Sequence, residues 1–213
     1  MNHTDSSNPN VALDTCQTHA RSKRLLLMFG VLALTVSLSG VSTILGKAWM
    51  GQWLLKCAWE QAVDTGTPQR PWPWADFLVA GNLRIPELGV QAYVLNSDSG
   101  EALAFGPGFS RTTSRDGLRI ISGHRDTHFS FMRNLGIGMR IELHSVDRGS
   151  PEVFEVYHQM VVDAGNARLP TTIPDTLILL TCFPFDAITA NGPLRYLSIA
   201  RLQMPQKFGA IVL

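Results

Sequence analysis

The sequence predicts a mainly β protein: a closed or nearly closed barrel of short strands with short helices, preceded by one N-terminal transmembrane helix. Three observations carry this. The run Leu25 to Gly46, LLLMFGVLALTVSLSGVSTILG, contains no charged residue. From Leu83 onward, short runs, several of them β-branched or aromatic, alternate with clusters of Gly, Pro, Asp and Asn. No long helical patterns intervene between those runs, which sets aside an alternating α/β layout.

The N-terminal elements come first. Residues 1–24 are polar and read as a disordered cytoplasmic tail. Residues 25–46 meet the roughly 20-residue length needed to cross a hydrocarbon core of about 30 Å. A secretory signal peptide competes for the same segment, since Arg21, Lys23 and Arg24 precede it. The apolar stretch exceeds the usual ~7–15 residues of a signal core and lacks an Ala-x-Ala-like site, so we read an uncleaved anchor. Those three basic residues, against Lys47 and Lys56 beyond the span, orient the N-terminus to the cytoplasm and the rest of the chain outside it. Membrane lipid is thus an expected partner.

Residues 47–81 follow as a juxtamembrane helix, to about Val63, and a Pro/Trp segment in which Pro68, Pro71 and Pro73 forbid regular helix. That segment reads as a linker or as a strap docked on the domain. Trp49, Trp53 and Trp59 fit either the headgroup level or a helix face packed on the domain. Within residues 82–203 the expected strands are Leu83–Ile85, Val90–Leu95, Leu118–Ser122, Met139–Leu143, Val153–Tyr157, Met160–Val162, Leu177–Cys182 and Leu194–Leu202. Short helical pieces are expected at Glu101–Phe105 and Phe129–Asn134, and 204–213 is a C-terminal tail.

Composition excludes some classes of function. Among 213 residues the net charge is +1, with Lys and Arg scattered, so no electrostatic footprint for nucleic acid exists. Three cysteines without close spacing make neither a disulfide framework nor a zinc ribbon. Cys16 falls in the tail and Cys57 in the juxtamembrane helix, while Cys182 ends an apolar strand. A Cys57–Cys182 bridge is the structural alternative to a reactive Cys182.

Cys182 closes Thr176-Leu-Ile-Leu-Leu-Thr-Cys182, apolar at nearly every position as in a strand buried on both faces, and Phe183-Pro184-Phe185 ends that strand. On its own such a cysteine reads as an inert buried residue. His124 changes this reading, because Ile120-Ile-Ser-Gly-His124 also brings an imidazole to a strand end. A histidine beside a thiol stabilises the thiolate and then protonates a departing amine. His128 is the substitute candidate, whereas His144 and His158 fall in strand-like segments and read as surface residues. Arg195 opens the last strand, where antiparallel pairing with the strand of Cys182 would bring a guanidinium to the thiol to hold an oxyanion or a substrate backbone.

With their flanks these residues resemble the sortase family. The resemblance lies in Ser122-Gly-His-Arg-Asp-Thr-His-Phe129, in Leu179-Leu-Thr-Cys182 and in Arg195 in the strand that follows. It extends to Leu83-Arg-Ile-Pro-Glu-Leu-Gly-Val90 and Phe105-Gly-Pro-Gly-Phe109. Pro71-Trp-Pro-Trp-Ala-Asp76 and Cys182-Phe-Pro-Phe-Asp-Ala187 are similar to the Gram-negative subclass, which implies an inner-membrane protein with its catalytic domain in the periplasm. The resemblance implies an eight-stranded barrel and a His124, Cys182, Arg195 triad. It further implies cleavage of an LPxTG-like C-terminal sorting signal on a substrate protein, a thioester on Cys182, and transfer to an amine acceptor. Thr181 is implied to contact substrate or the oxyanion.

One departure stands out: Ile178-Leu-Leu-Thr-Cys182 replaces the family's frequent Thr-Leu-x-Thr-Cys. No cofactor or metal is expected. Between Ala164 and Pro174 there is no acidic cluster for calcium, Asp163 and Asp175 being the nearest carboxylates. Two other classes compete. An L,D-transpeptidase would place its cysteine in a Ser/His-x-Gly-Cys context followed by arginine, unlike Leu180-Thr-Cys-Phe-Pro184. A non-catalytic anchored barrel that binds a partner would need none of the triad.

Overall fold

The computed structural model describes residues 27–31, 46–111, 117–167, 173–187 and 192–203. The chain divides into two units, Met1–Met50 and Gly51–Leu213. In the first, residues 27–31 and 46–50 are helical and exposed. Most of the expected span lies outside the described residues, and among those described no helix is long and apolar enough to cross a membrane.

The second unit opens with a helix over residues 51–65, α1. Eight strands follow: β1 (Val79–Ile85), β2 (Val90–Leu95), β3 (Gly108–Phe109), β4 (Leu118–Ser122), β5 (Arg140–Ser145), β6 (Glu152–Asp163), β7 (Thr176–Cys182) and β8 (Leu194–Leu202). They close a barrel in the order β1-β2-β3-β4-β7-β8-β6-β5. A short helix, α2 (Gly100–Phe105), precedes β3, and 3-10 turns occupy Pro86–Leu88 and Ser130–Arg133. Gly89, at φ 62, makes the tight link from the first turn into β2.

The expected bounds of β2, β4 and β8 match the structure. Two expectations are corrected. Val153–Tyr157 and Met160–Val162 are one strand, β6, whose register slips between Val156 and His158. The bulge breaks the apolar alternation, so one bent strand reads as two. The eighth strand is instead β3, whose two residues are too few to show a period. Ser99 caps α2 through its side-chain oxygen.

Alternation along the strands sorts two apolar sets. Leu83, Ile121, Ile141, Leu143, Phe154, Leu177 and Leu179 fill the interior. On the outer face, Leu118 and Ile120 of β4 join Ile178 and Leu180 of β7 and Leu197 and Ile199 of β8. β4 and β7 run parallel and are buried on both faces, which is why they read as continuous apolar runs.

A third cluster accounts for the Pro/Trp segment. Leu55, Ala58, Trp59 and Ala62 of α1 pack with Ala75 and Phe77 of the strap and with Val79 and Leu95 of the barrel. Trp59 is buried, edge-on to His144 with ring centroids 5.0 Å apart, while Trp53 is exposed. Each fully buried Leu or Phe here contributes about 1.5–3 kcal/mol, so α1 and the strap are held as part of the domain.

Candidate active site

The site is set by strand register. Cys182, the last residue of β7, is the Cα partner of Arg195 on β8. Directly opposed residues in an antiparallel pair present their side chains to one face. The next pairs along the ladder, Leu180 with Leu197 and Ile178 with Ile199, belong to the outer apolar cluster. Thiol and guanidinium therefore share the outer face. The Arg195 Nη1 donates to the carbonyls of Gly192 at 2.6 Å and Leu194 at 2.9 Å, anchoring the group at the mouth of the β7–β8 loop.

His124 arrives from the other side of β7. In the parallel β4–β7 ladder, Ser122 is the partner of Leu180, and the Gly123 N–H continues the pairing by donating to Leu180 O at 3.1 Å. His124 lies two residues beyond Ser122 and Cys182 two beyond Leu180, so both follow the last β4–β7 pair. His124 is exposed and Cys182 half-buried. Around the rim His124 follows the end of β4, Cys182 ends β7 and Arg195 lies near the start of β8, three adjacent strands.

Thr181 is placed differently. It is 2% exposed, turned toward the interior side of β7, and its hydroxyl donates to Gly123 O at 2.7 Å. That bond ties the residue before the cysteine to the residue before the histidine. His128 is half-buried, and burial lowers its pKa against a hydrogen bond to the backbone of Ala104. His158 is exposed, and His144 is half-buried against Trp59. Cys57 and Cys182 are both free thiols, so no bridge joins them.

Arg125 has no role in the sequence reading, yet it organises the rim. It is 6% exposed and donates to Pro184 O at 2.6 Å and Ala187 O at 2.8 Å. Its Nε and Nη2 grip both carboxylate oxygens of Asp126, at 2.7 and 2.9 Å. This bidentate pair holds the Asp126 carboxyl below the usual carboxylate range. The signal available in the sequence was the adjacent Arg-Asp pair directly after the histidine. The Phe183–Pro184 peptide that Arg125 supports is cis, and Phe183, Phe185 and Tyr196 pack together beside it.

Gly123, which marks the turn before His124 in the sequence, also has a packing role that the sequence does not show. A Cβ there would lie 2.6 Å from Cγ of the fully buried Phe129. Only a residue without a side chain lets the histidine turn lie this close to that ring.

A sortase domain model matches residues 83–203, more than half of the chain. The chain belongs to the sortase family. Among solved structures, sortase A from Corynebacterium diphtheriae is similar at 16% identity and TM-score 0.54, covering 75% of this chain and 86% of that one. Sortase A of Listeria monocytogenes is similar at 20% identity and TM-score 0.52, covering 59% and 88%. The Group B Streptococcus Pilus Island 1 sortase C2 is similar at 21% identity and TM-score 0.51, covering 58% and 73%. At these identities the sortase structures speak to the fold alone. No curated protein matches the chain.

Proposed function

We propose that this sortase is a membrane-anchored cysteine transpeptidase of the Gram-negative subclass. It cleaves an LPxTG-like C-terminal sorting signal through a Cys182 thioester and transfers the acyl group to an amine. The observation that supports this best is the register that puts Cys182 opposite Arg195, with His124 just past the end of the neighbouring β4 strand.

The Cys182 thiolate attacks the scissile carbonyl carbon. Arg195 supplies guanidinium N–H groups to the oxyanion or to the substrate backbone. His124, as imidazolium, protonates the departing amine, and the thioester remains. An amine then attacks the thioester, with His124 accepting its proton. Thr181 has its hydroxyl engaged by Gly123, so any contact it makes with substrate runs through its backbone, and its side chain positions the rim. The anchor over residues 25–46 holds the enzyme in the inner membrane with the barrel in the periplasm.

The test is to incubate the full chain in detergent with a peptide carrying an LPxTG-like sequence and identify the acyl adduct by mass spectrometry. The adduct is expected on Cys182 and absent from Cys182→Ala, whose fold should be unchanged. An adduct elsewhere, or cleavage by Cys182→Ala, sinks the mechanism. Removing residues 1–46 is expected to release the protein from membranes.

A further inference from the structure

Beside α1, on the side of the barrel away from Cys182, lies a small recess. In the closed order of strands β1 and β5 are neighbours, and β7 stands across the barrel from β1. Leu83 and Ile85 of β1 and Ile141 and Leu143 of β5 belong to the interior cluster. Alternation therefore turns Asn82, Arg84, Glu142 and His144 outward. The register sets Asn82 directly opposite His144 and Arg84 directly opposite Glu142. These four, with Trp59 of α1 and Pro151, line a cavity of about 120 Å³.

Two features of this cavity are not accounted for by the packing of the barrel. Asn82 is 5% exposed, and its side-chain Oδ1 is buried without a hydrogen-bond donor among the described residues. Buried acceptors of this kind are rare in folded proteins, because nothing replaces the water they give up. Arg84 and Glu142, in turn, carry opposite charges at directly opposed positions, where a cross-strand ion pair is favoured. Among the described residues neither joins an ion pair, and both line the cavity instead. Trp59, buried and edge-on to His144, gives the same space an aromatic wall.

We infer that this cavity binds a small zwitterion, an α-amino acid of glycine or alanine size. A lone cation would meet the Arg84 guanidinium. A lone anion would meet the Glu142 carboxylate and the Asn82 acceptor. A ligand with both charges on one carbon answers all three groups. Its ammonium donates to Glu142 and to Asn82 Oδ1, and its carboxylate accepts from Arg84. Directly opposed side chains spring from Cβ atoms about 4.5–5.5 Å apart, a span that suits charges so close together. Since a cavity of about 150 Å³ takes up benzene, the volume here fits a ligand of this size. The site uses no residue of the catalytic rim, so it stands apart from the transpeptidase reading. Filling it supplies the missing donor to Asn82 and joins α1, through Trp59, to β1 and β5.

The experiment titrates glycine into the full chain in detergent at low salt, with no donor peptide present, by isothermal titration calorimetry. Glycine should bind saturably, one per chain, and raise Tm as its concentration rises. Cys182→Ala should bind it as the wild type does. Arg84→Gln and Glu142→Gln should each weaken binding by at least about tenfold, as for one lost charge-assisted hydrogen bond. Acetate and methylammonium, with one charge each, should bind the wild type at least about tenfold more weakly than glycine. Glycylglycine, whose charges stand a peptide unit apart, should do the same. These analogues keep the test valid if a variant does not fold. Glycine that gives neither saturable heat nor a rise in Tm overturns the site. Unchanged affinity in folded Arg84→Gln or Glu142→Gln also overturns it, and so does acetate, methylammonium or glycylglycine binding as well as glycine.

Discussion

Arg125 donates to the carbonyl of Pro184 at 2.6 Å, so the residue after His124 holds the peptide two positions beyond Cys182. The histidine turn and the cysteine turn are in this way one braced unit. Arg125 is buried, and its fork is fully engaged by Pro184, Ala187 and Asp126.

Arg125→Ala should therefore destabilise the fold, because two backbone carbonyls lose a charge-assisted donor. Denaturant unfolding measures this. Turnover of donor peptide should fall more than stability explains, because both strand ends lose their common tie. Arg125→Lys keeps the charge but not the fork, and should recover less than half of the lost activity. Wild-type turnover in Arg125→Ala would show that the brace does not position the site.

Thr181 offers a sharper separation of roles. Its hydroxyl is buried and bonded to Gly123 O. Thr181→Val removes the bond and leaves a buried carbonyl acceptor short of a partner, at a cost of about 1–3 kcal/mol. Thr181→Ser keeps the hydroxyl and should retain near wild-type stability and donor cleavage. If the serine variant loses donor affinity as strongly as the valine variant, the methyl rather than the hydroxyl matters, and the positioning role is wrong.

These relations show how far the sequence reaches. The strand ends of Cys182, His124 and Arg195 are legible because the β4, β7 and β8 patterns are long, apolar and cut by Gly or Pro. Their mutual register is not written in any one segment. It arises from a parallel β4–β7 pair joined through distant turns, which periodicity alone cannot reveal. Only the Arg-Asp pair hints at Arg125: its partners Pro184 and Ala187 are backbone carbonyls 59 and 62 residues away, and a carbonyl carries no sequence mark. The split of β6 comes from a bulge, and the loss of β3 from its two-residue length. Trp59 is identifiable as amphipathic, but whether it faces lipid or barrel depends on the outer surface of β5 and its His144.

His128 gives a prediction in pH. Burial is the larger influence and holds its pKa below the ordinary 6.5, against a hydrogen bond to Ala104. A depressed value means that the unfolded chain binds the proton first as pH falls. The stability tied to neutral His128 is thus complete above 6.5 and is lost as pH drops from there through the folded value. Tm measured from pH 8 to 5 should decline below 6.5, and His128→Gln should flatten that decline. An unchanged profile in the variant would assign the acid sensitivity to other groups.

Gly123→Ala tests how narrowly the histidine turn is built. The added Cβ would lie 2.6, 2.7 and 2.9 Å from three ring carbons of Phe129. Real contacts do not approach so closely, so either the ring or the turn must move. Phe129 is fully buried and stacked edge-on to Phe131 at 5.3 Å, and its N–H is bonded to His124 O at 3.0 Å. The ring has little room, and the displacement falls on the turn that carries His124. Overpacking of this kind costs about 1–3 kcal/mol, which lowers Tm by about 2–12 °C in a domain of this size. Since Gly123 also links to Leu180 and Thr181, the shift is transmitted to the end of β7. Thioester formation should slow by a larger factor than in a second variant matched for Tm but altered on the α1 face, such as Ala62→Gly. Equal rates in the two variants would mean that the alanine only destabilises the barrel and leaves His124 where it was.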